Sequence, residues 1–365
     1  MKYKYRNIII ILLIILITIN IIPSVLGKTR RSYLLDFIKE NEIESIGFSN
    51  AIDDNNLDSY EATVYALEIL DDYGSNPHEI ETLQTNLENK IVDMFNNDQV
   101  QLYELFYLMK SLNILQYEID VNLKNRISQY LNETKQIGGG FSFSNASSSV
   151  SLTSTYYVIQ LYLLINVTID SQSEHKNWIQ SCNNIDGGYG GNRSLSSNLL
   201  NTYFAVLLFE ELWNIADLVN ASKTLSYLKH FYVNDSVDIN NYGGYLPDNT
   251  TQYAMLSSSY LCVKTISLID PNELNKASTI SWILNHQNFN DGGFSENTVG
   301  EVEKISSIIA SYYAFKTLKI LNPSLSSLDK DVWMVEFNYW VLIIIITCIA
   351  VLIGIMAYIW RKRRI

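Results

Sequence analysis

Cysteine is scarce, three residues in a chain of 365, which excludes a fold stapled by a disulfide framework. Cys182 and Cys262 could pair in an oxidising compartment or remain two buried thiols, and Cys348 lies inside a long apolar run. Proline is rarer than usual, at five residues, so extended linkers of polyproline type are excluded. Histidine numbers four, at His78, His175, His230 and His286. All four fall on polar helices or turns and read as surface residues rather than metal ligands. Positive charge is in deficit, with a net charge of −12. Residues 1–6 and 361–365 hold seven positive and no negative charges, leaving −19 on the rest. That balance argues against nucleic acid as a partner.

Two runs carry no charge at all. Asn7 to Gly27 and Phe337 to Trp360 are 21 and 24 residues long, and either is long enough to cross a bilayer core as a helix. The second has Tyr339 and Trp340 at one end and Tyr358 and Trp360 at the other, followed by Arg361 to Arg364. Aromatic belts and a basic flank predict a transmembrane helix over 334–360 and a cytoplasmic tail over 361–365. The first run follows Lys2, Lys4 and Arg6 and ends with small residues at Val25 and Gly27. Residues 1–27 are therefore a cleaved signal peptide or an uncleaved anchor. Either way residues 28–333 are expected outside the cytoplasm, at the cell membrane. Seven Asn-x-Ser/Thr sequons, at Asn132, Asn145, Asn166, Asn192, Asn220, Asn234 and Asn249, fit a glycoprotein.

A repeat organises the middle. Gly139-Gly140-Phe141, Gly187-Gly188-Tyr189, Gly243-Gly244-Tyr245 and Gly292-Gly293-Phe294 are spaced 48, 56 and 49 residues apart. A weaker copy stands at Gly47-Phe48, and a decayed one falls near Asn96-Asn97-Asp98. An apolar run follows each, opened by Ser59-Tyr60, Leu102-Tyr103, Thr155-Tyr156, Thr202-Tyr203, Ser259-Tyr260 and Ser311-Tyr312. A more polar segment with one apolar stripe precedes each. The clearest runs from Glu79 to Phe95, with Ile80, Leu83, Leu87, Ile91 and Met94 on one side. Six units of striped helix, glycine turn and apolar helix predict an all-α fold in two concentric layers, closed into a ring or stacked as an open solenoid. The glycines read as structural turns that free the backbone and let neighbours approach.

These repeats resemble those of prenyltransferase β-subunits. Asn184-Ile185-Asp186-Gly187-Gly188-Tyr189 and Gln287 with Asn290-Asp291-Gly292-Gly293-Phe294 resemble motifs of squalene and oxidosqualene cyclases. The resemblance spans about residues 47–321 and implies an α/α toroid of six helical hairpins. In the prenyltransferases it implies zinc held by an Asp-x-Cys before the repeat tyrosine and a His from another repeat. The matching positions here are Thr153 and Thr155, Leu200 and Thr202, Ser257 and Ser259, and Ile309 and Ser311. No metal site and no cofactor is expected; zinc would need ligands outside the family pattern. The cyclase acid, Asp-x-Asp-Asp, has no counterpart, and Asp53-Asp54 and Asp71-Asp72 read as solvated turn residues.

If the toroid has a site, its rim should carry Ser154, Tyr156, Asn201, Tyr203, Ser258, Tyr260, Ser311 and Tyr312, with Asp186, Asp291 and Glu296 in the flanking loops. Catalytic residues are not assigned. Two functions stand side by side: a lipid- or protein-binding module, and an enzyme on an isoprenoid or lipid substrate.

Overall fold

A computed structural model describes residues 28–51, 59–296, 305–330 and 332, together with Thr347 and Arg361. The chain divides into a compact unit of Arg31–Leu328 and a second unit of Met1–Arg30 with Asp329–Ile365. The expected signal or anchor segment and, apart from Thr347, the apolar run 337–360 lie outside the described residues. Among the described residues no helix is long and apolar enough to cross a membrane.

Among the described residues twelve α-helices build the larger unit. Six are striped: α1 (Arg30–Glu40), α3 (Ile80–Asn96), α5 (Val121–Glu133), α7 (Gln172–Gln180), α9 (Ala221–Lys229) and α11 (Lys276–Leu284). They alternate with six that are apolar on most sides: α2 (Tyr60–Asp72), α4 (Leu102–Ile114), α6 (Leu152–Leu164), α8 (Leu199–Leu212), α10 (Leu256–Ile269) and α12 (Ile308–Leu321). In α3 only Leu83, Leu87 and Ile91 are buried, one residue per turn. In α8 nearly every residue from Leu199 to Phe209 is. A helix with a single buried stripe belongs in an outer layer, and one covered all round belongs in an inner layer. Each inner helix touches the inner helices before and after it, and α12 touches α2.

The start of the inner helices departs from the sequence expectation. Ser59, Ser151, Asn198 and Ser307 are N-caps whose side chains accept the N–H groups of Ala62, Ser154, Asn201 and Ala310. The last four inner helices therefore begin about a turn before the tyrosines that were expected to open them. Counted from the caps, the counterpart of Thr155-Tyr156 in α2 is Thr63-Val64, not Ser59-Tyr60. In α4 it is Leu105-Phe106, not Leu102-Tyr103.

The hydroxyl at this register is a latch. Thr63, Thr155, Thr202, Ser259 and Ser311 accept the backbone N–H of Phe48, Phe141, Tyr189, Tyr245 and Phe294 at 2.9–3.0 Å. Each bond ties the glycine hairpin onto the helix that follows it. Short antiparallel ladders hold three of the hairpins: β1 (Glu42–Ile43) with β2 (Gly47–Phe48), β3 (Phe141–Ser142) with β4 (Val150–Ser151), and β5 (Tyr189–Gly190) with β6 (Ser197–Asn198). The unit of α3 and α4 has neither glycines nor latch, and Leu105 fills the latch position.

The glycine pairs do two different things. The first of each pair has positive φ, +103° at Gly139 for example, and lies on the backbone of the next outer helix. A Cβ there would stand 2.5 Å from the Glu174 carbonyl oxygen of α7. The second faces an aromatic ring of that helix: Trp178, Tyr227, Trp282 or Phe37. The aromatic after the glycines is fully buried beneath the hairpin, and the glycines themselves form the docking surface between units.

The last pair shows how the ring closes. Gly292 lies against the Tyr33 backbone of α1, and a Cβ on Gly293 would stand 2.8 Å from the Phe37 ring. The Ile308 N–H donates to the Asn50 carbonyl at 2.8 Å. Tyr312 stacks on Tyr65 with centroids 3.8 Å apart and planes 4° from parallel. The unit is thus a closed toroid, and an open stack of hairpins is excluded.

Two adjacent glycines separate strain from docking. Gly138 also has positive φ, +86°, but open space where a Cβ would go. Gly138→Ala should cost about 1 kcal/mol from the left-handed backbone alone. Gly139→Ala should cost roughly 3 kcal/mol or more, because the clash is with helix backbone. Urea denaturation of the two variants measures the difference.

Candidate ligand-binding centre of the toroid

Because the inner helices share one register, residues at equal distance from their caps form layers around the ring axis. Five and six residues past the caps stand Tyr65, Phe106, Tyr107, Tyr156, Tyr157, Tyr203, Phe204, Tyr260, Tyr312 and Tyr313. Their rings touch from helix to helix without a break. Tyr65 meets Tyr107, Tyr107 meets Tyr157, Tyr156 stacks on Phe204, Tyr203 meets Tyr260, Tyr260 meets Tyr312, and Tyr312 stacks on Tyr65. Edge and offset contacts of this kind add to the burial of each ring. Tyr156, Tyr203 and Tyr313 are only half-buried, so space remains against these three rings. Burial raises the phenol pKa of Tyr65, Tyr156, Tyr203 and Tyr312, which keeps this collar neutral.

Carboxylates sit beside the collar toward the N-terminal ends of the inner helices. Glu61 accepts from Tyr103 at 2.5 Å and from Tyr107 at 3.1 Å. Glu296 accepts the Ser257 N–H at 2.9 Å and also bonds the Ser257 hydroxyl. Burial raises the Glu296 pKa, and Ser257 only partly offsets it.

Beyond the collar, nine residues past the caps, come Glu68, Lys110, Gln160, Lys264 and Lys316, with Leu207 completing the set. Glu68 is the hub. It meets Lys110 at 2.6 Å and Lys316 at 2.7 Å, and accepts from Tyr312 at 3.1 Å. Burial alone would raise its pKa, but the two ammonium groups outweigh burial and hold it at about 2. Asp72 pairs with Lys316 at 3.1 Å and with Lys319. Gln160 donates to Glu211, whose pKa is raised by burial.

The residues expected at the rim separate into three groups. Tyr156, Tyr203, Tyr260 and Tyr312 meet in the collar, and Glu296 lies at the N-terminal end of α10. Ser154, Ser258 and Ser311 are spent on the hairpins. The first two donate to the Phe141 and Tyr245 carbonyls at 2.6 Å, and Ser311 is a latch. Asn201 is buried and accepts from Thr153 at 3.4 Å. Asp186 and Asp291 brace the glycine turns: each accepts a glycine N–H at 3.0 Å and a serine hydroxyl at 2.8 Å. These six polar groups are committed to the fold, not free at a rim.

Other sequence expectations also change. His175 and His286 are buried, not at the surface. His175 accepts the Gly140 N–H at 2.9 Å and stacks on Phe141, so it belongs to the joint between units. Asp72 is ion-paired rather than a solvated turn residue; Asp53 and Asp54 lie outside the described residues. Cys182 and Cys262 are separate, buried thiols, which removes the candidate disulfide. Six of the sequon asparagines are exposed, and Asn192 is half-buried.

The sequence reading missed Glu61, Tyr107, Glu68, Lys110, Lys264 and Lys316. The signal was present: a charged or amide side chain recurs nine past the cap in five of six apolar helices. It is invisible until the caps set the register. Among the described residues no three His, Cys, Asp or Glu side chains gather as a metal would require.

A closed α/α toroid with an aromatic centre defines the class of the protein. The family model of the prenyltransferase alpha-alpha toroid domain matches residues 75–171, 156–244 and 239–338, and the chain belongs to that family. Among solved structures it is similar to Candida albicans protein geranylgeranyltransferase-I complexed with GGPP. The identity is 16% and the TM-score 0.56, over 74% of this chain and 85% of that one. No curated protein matches the chain.

Glu68 tests the charged layer. Glu68→Gln leaves Lys110 without its partner and Lys316 with Asp72 alone, and should cost about 3 kcal/mol in urea denaturation at pH 7. The folded pKa lies below the unfolded value, so this stabilisation is complete above about pH 4.5 and is lost as pH falls toward 2. The variant should accordingly lose less stability than the parent between pH 5 and pH 2, as followed by thermal melts.

Proposed function

We propose that the toroid is a non-enzymatic binding module that receives an apolar chain, isoprenoid or another lipid, against its aromatic collar. The chain's apolar terminal runs would anchor it at the cell membrane. In this reading the toroid lies outside the cytoplasm, with its exposed sequons available to sugar, and Arg361 to Arg364 lie inside.

One observation carries the reading. At the position where the prenyltransferase resemblance implies a zinc-binding cysteine, this chain has Thr155, Thr202, Ser259 and Ser311, and each hydroxyl is occupied by a hairpin N–H. No thiolate stands at any of these four positions. The collar meanwhile keeps the aromatic wall that an isoprenoid needs. The similar Candida albicans enzyme is complexed with GGPP, which supports a ligand of that class.

A second reading is favoured by Glu296. Its carboxyl is pushed toward the protonated form beside the collar, as suits an acid acting on a lipid substrate.

Titration of the full chain in detergent with a fluorescent geranylgeranyl alcohol distinguishes these readings. Saturable binding at one per chain is expected, weakened at least tenfold in Tyr203→Ala/Tyr260→Ala, with the alcohol recovered unchanged. Absence of saturable binding overturns the lipid reading. Stoichiometric zinc in the purified protein, or conversion of the alcohol that Glu296→Gln abolishes, overturns the non-enzymatic one.

A further inference from the structure

The two rims of the toroid differ, and its chain ends identify one of them. Glycine hairpins join outer helices to the N-terminal ends of inner helices, so they all lie on one rim. The opposite rim gathers the C-terminal ends of the inner helices and the N-terminal ends of the outer ones. A pocket of about 240 Å³ shows this directly, since Leu70 and Asp71 of α2, Ile80 of α3 and Ile114 of α4 line it together.

Both ends of the ring emerge on this second rim. The Arg31 N–H donates to the Leu328 carbonyl at 2.9 Å, and the Arg31 guanidinium lies 4.7 Å from the centre of the Tyr73 ring at the end of α2. Three residues, 28–30, separate Arg31 from the apolar run ending at Gly27, and eight, 329–336, separate Leu328 from the run beginning at Phe337. Fully extended, these connections reach about 10 Å and about 28 Å. The ring itself is one inner helix deep, about 20 Å for 13 or 14 residues.

We infer that the rim carrying the inner-helix C-termini faces the lipid surface and the glycine-hairpin rim faces away. This rests on the membrane reading above. The facing rim exposes Asp71, Asp120 and Asp170, with Asp217 paired to Lys176 at 2.8 Å, so the surface it fits is a bilayer of uncharged or zwitterionic headgroups rather than an anionic one. The layer of Glu68, Lys110, Lys264 and Lys316 then lies on the membrane side of the collar. A lipid entering from the bilayer meets the charged layer before the aromatic one.

Energy transfer to the membrane tests the orientation. The full chain, with Cys348→Ser, carries a donor dye on Val167→Cys or Val219→Cys at the facing rim, or on Ile137→Cys or Ile185→Cys at the hairpin rim. Cys182 and Cys262 are buried, and burial pushes the Cys182 thiol up to about 12, so neither competes for dye. Each protein is reconstituted in phosphatidylcholine vesicles with acceptor lipid in both leaflets. Transfer at least twice as efficient from the Val167 and Val219 sites is expected. Equal transfer, or stronger transfer from the Ile137 and Ile185 sites, in protein that floats with the vesicles overturns the orientation and leaves the anchoring intact. Protein that fails to float overturns both.

Discussion

The fold rests on one close approach: glycine backbone laid directly on the backbone of the next outer helix. Nothing larger than hydrogen fits where Gly139, Gly187, Gly243 and Gly292 meet Glu174, Lys223, Ser278 and Tyr33. That approach fixes the spacing between units, and the ring of the neighbouring helix then seats on the second glycine. Secondary bonds secure the joints. Thr224 and Thr279 donate to the Gly187 and Gly243 carbonyls at 2.7 and 2.8 Å, and His175 serves the same joint from the other polarity by accepting from Gly140. With the hairpin latches setting each inner helix against its own turn, the angle between units is no longer adjustable. Four of the six joints are built this way, and the ring closes.

Closure determines what the centre can hold. Six inner helices in common register bring equivalent positions to one level. A tyrosine kept at the same place in several units becomes a collar, and a lysine or glutamate kept there becomes a charged layer. Burying Glu68, Lys110 and Lys316 costs solvation, and the mutual pairing recovers it only while all three are present. Such a layer makes specificity more than stability. The collar needs no such compensation, because its phenols remain protonated and its rings satisfy one another by contact.

Much of this architecture was legible before any coordinates, because glycine pairs and alternating helix character are local and repeat. Six units, two layers and their boundaries follow from Gly139-Gly140 through Gly292-Gly293 and from stripes such as Leu83, Leu87 and Ile91. The functional residues were less legible for a physical reason. Ser154, Ser258 and Ser311 occur beside the repeat tyrosines just as lining residues would, yet their hydroxyls bond hairpin backbone. Glu68 and Lys316 lie 248 residues apart in sequence and meet only because the ring closes. A contact that depends on the last element reaching the first leaves no local trace.

The seam between α12 and α2 carries a further consequence. Asn50 and the Ile309 N–H that donates to it are 259 residues apart. During synthesis the first outer helix emerges with its docking face bare, and its partner, Gly292, leaves the ribosome only near the end of the domain. Every earlier joint unites units made one after the other; this one must wait. Assembly of the drum is therefore gated by its slowest and most distant handshake, and a chain cut short by a single hairpin would expose apolar surface at both broken faces at once.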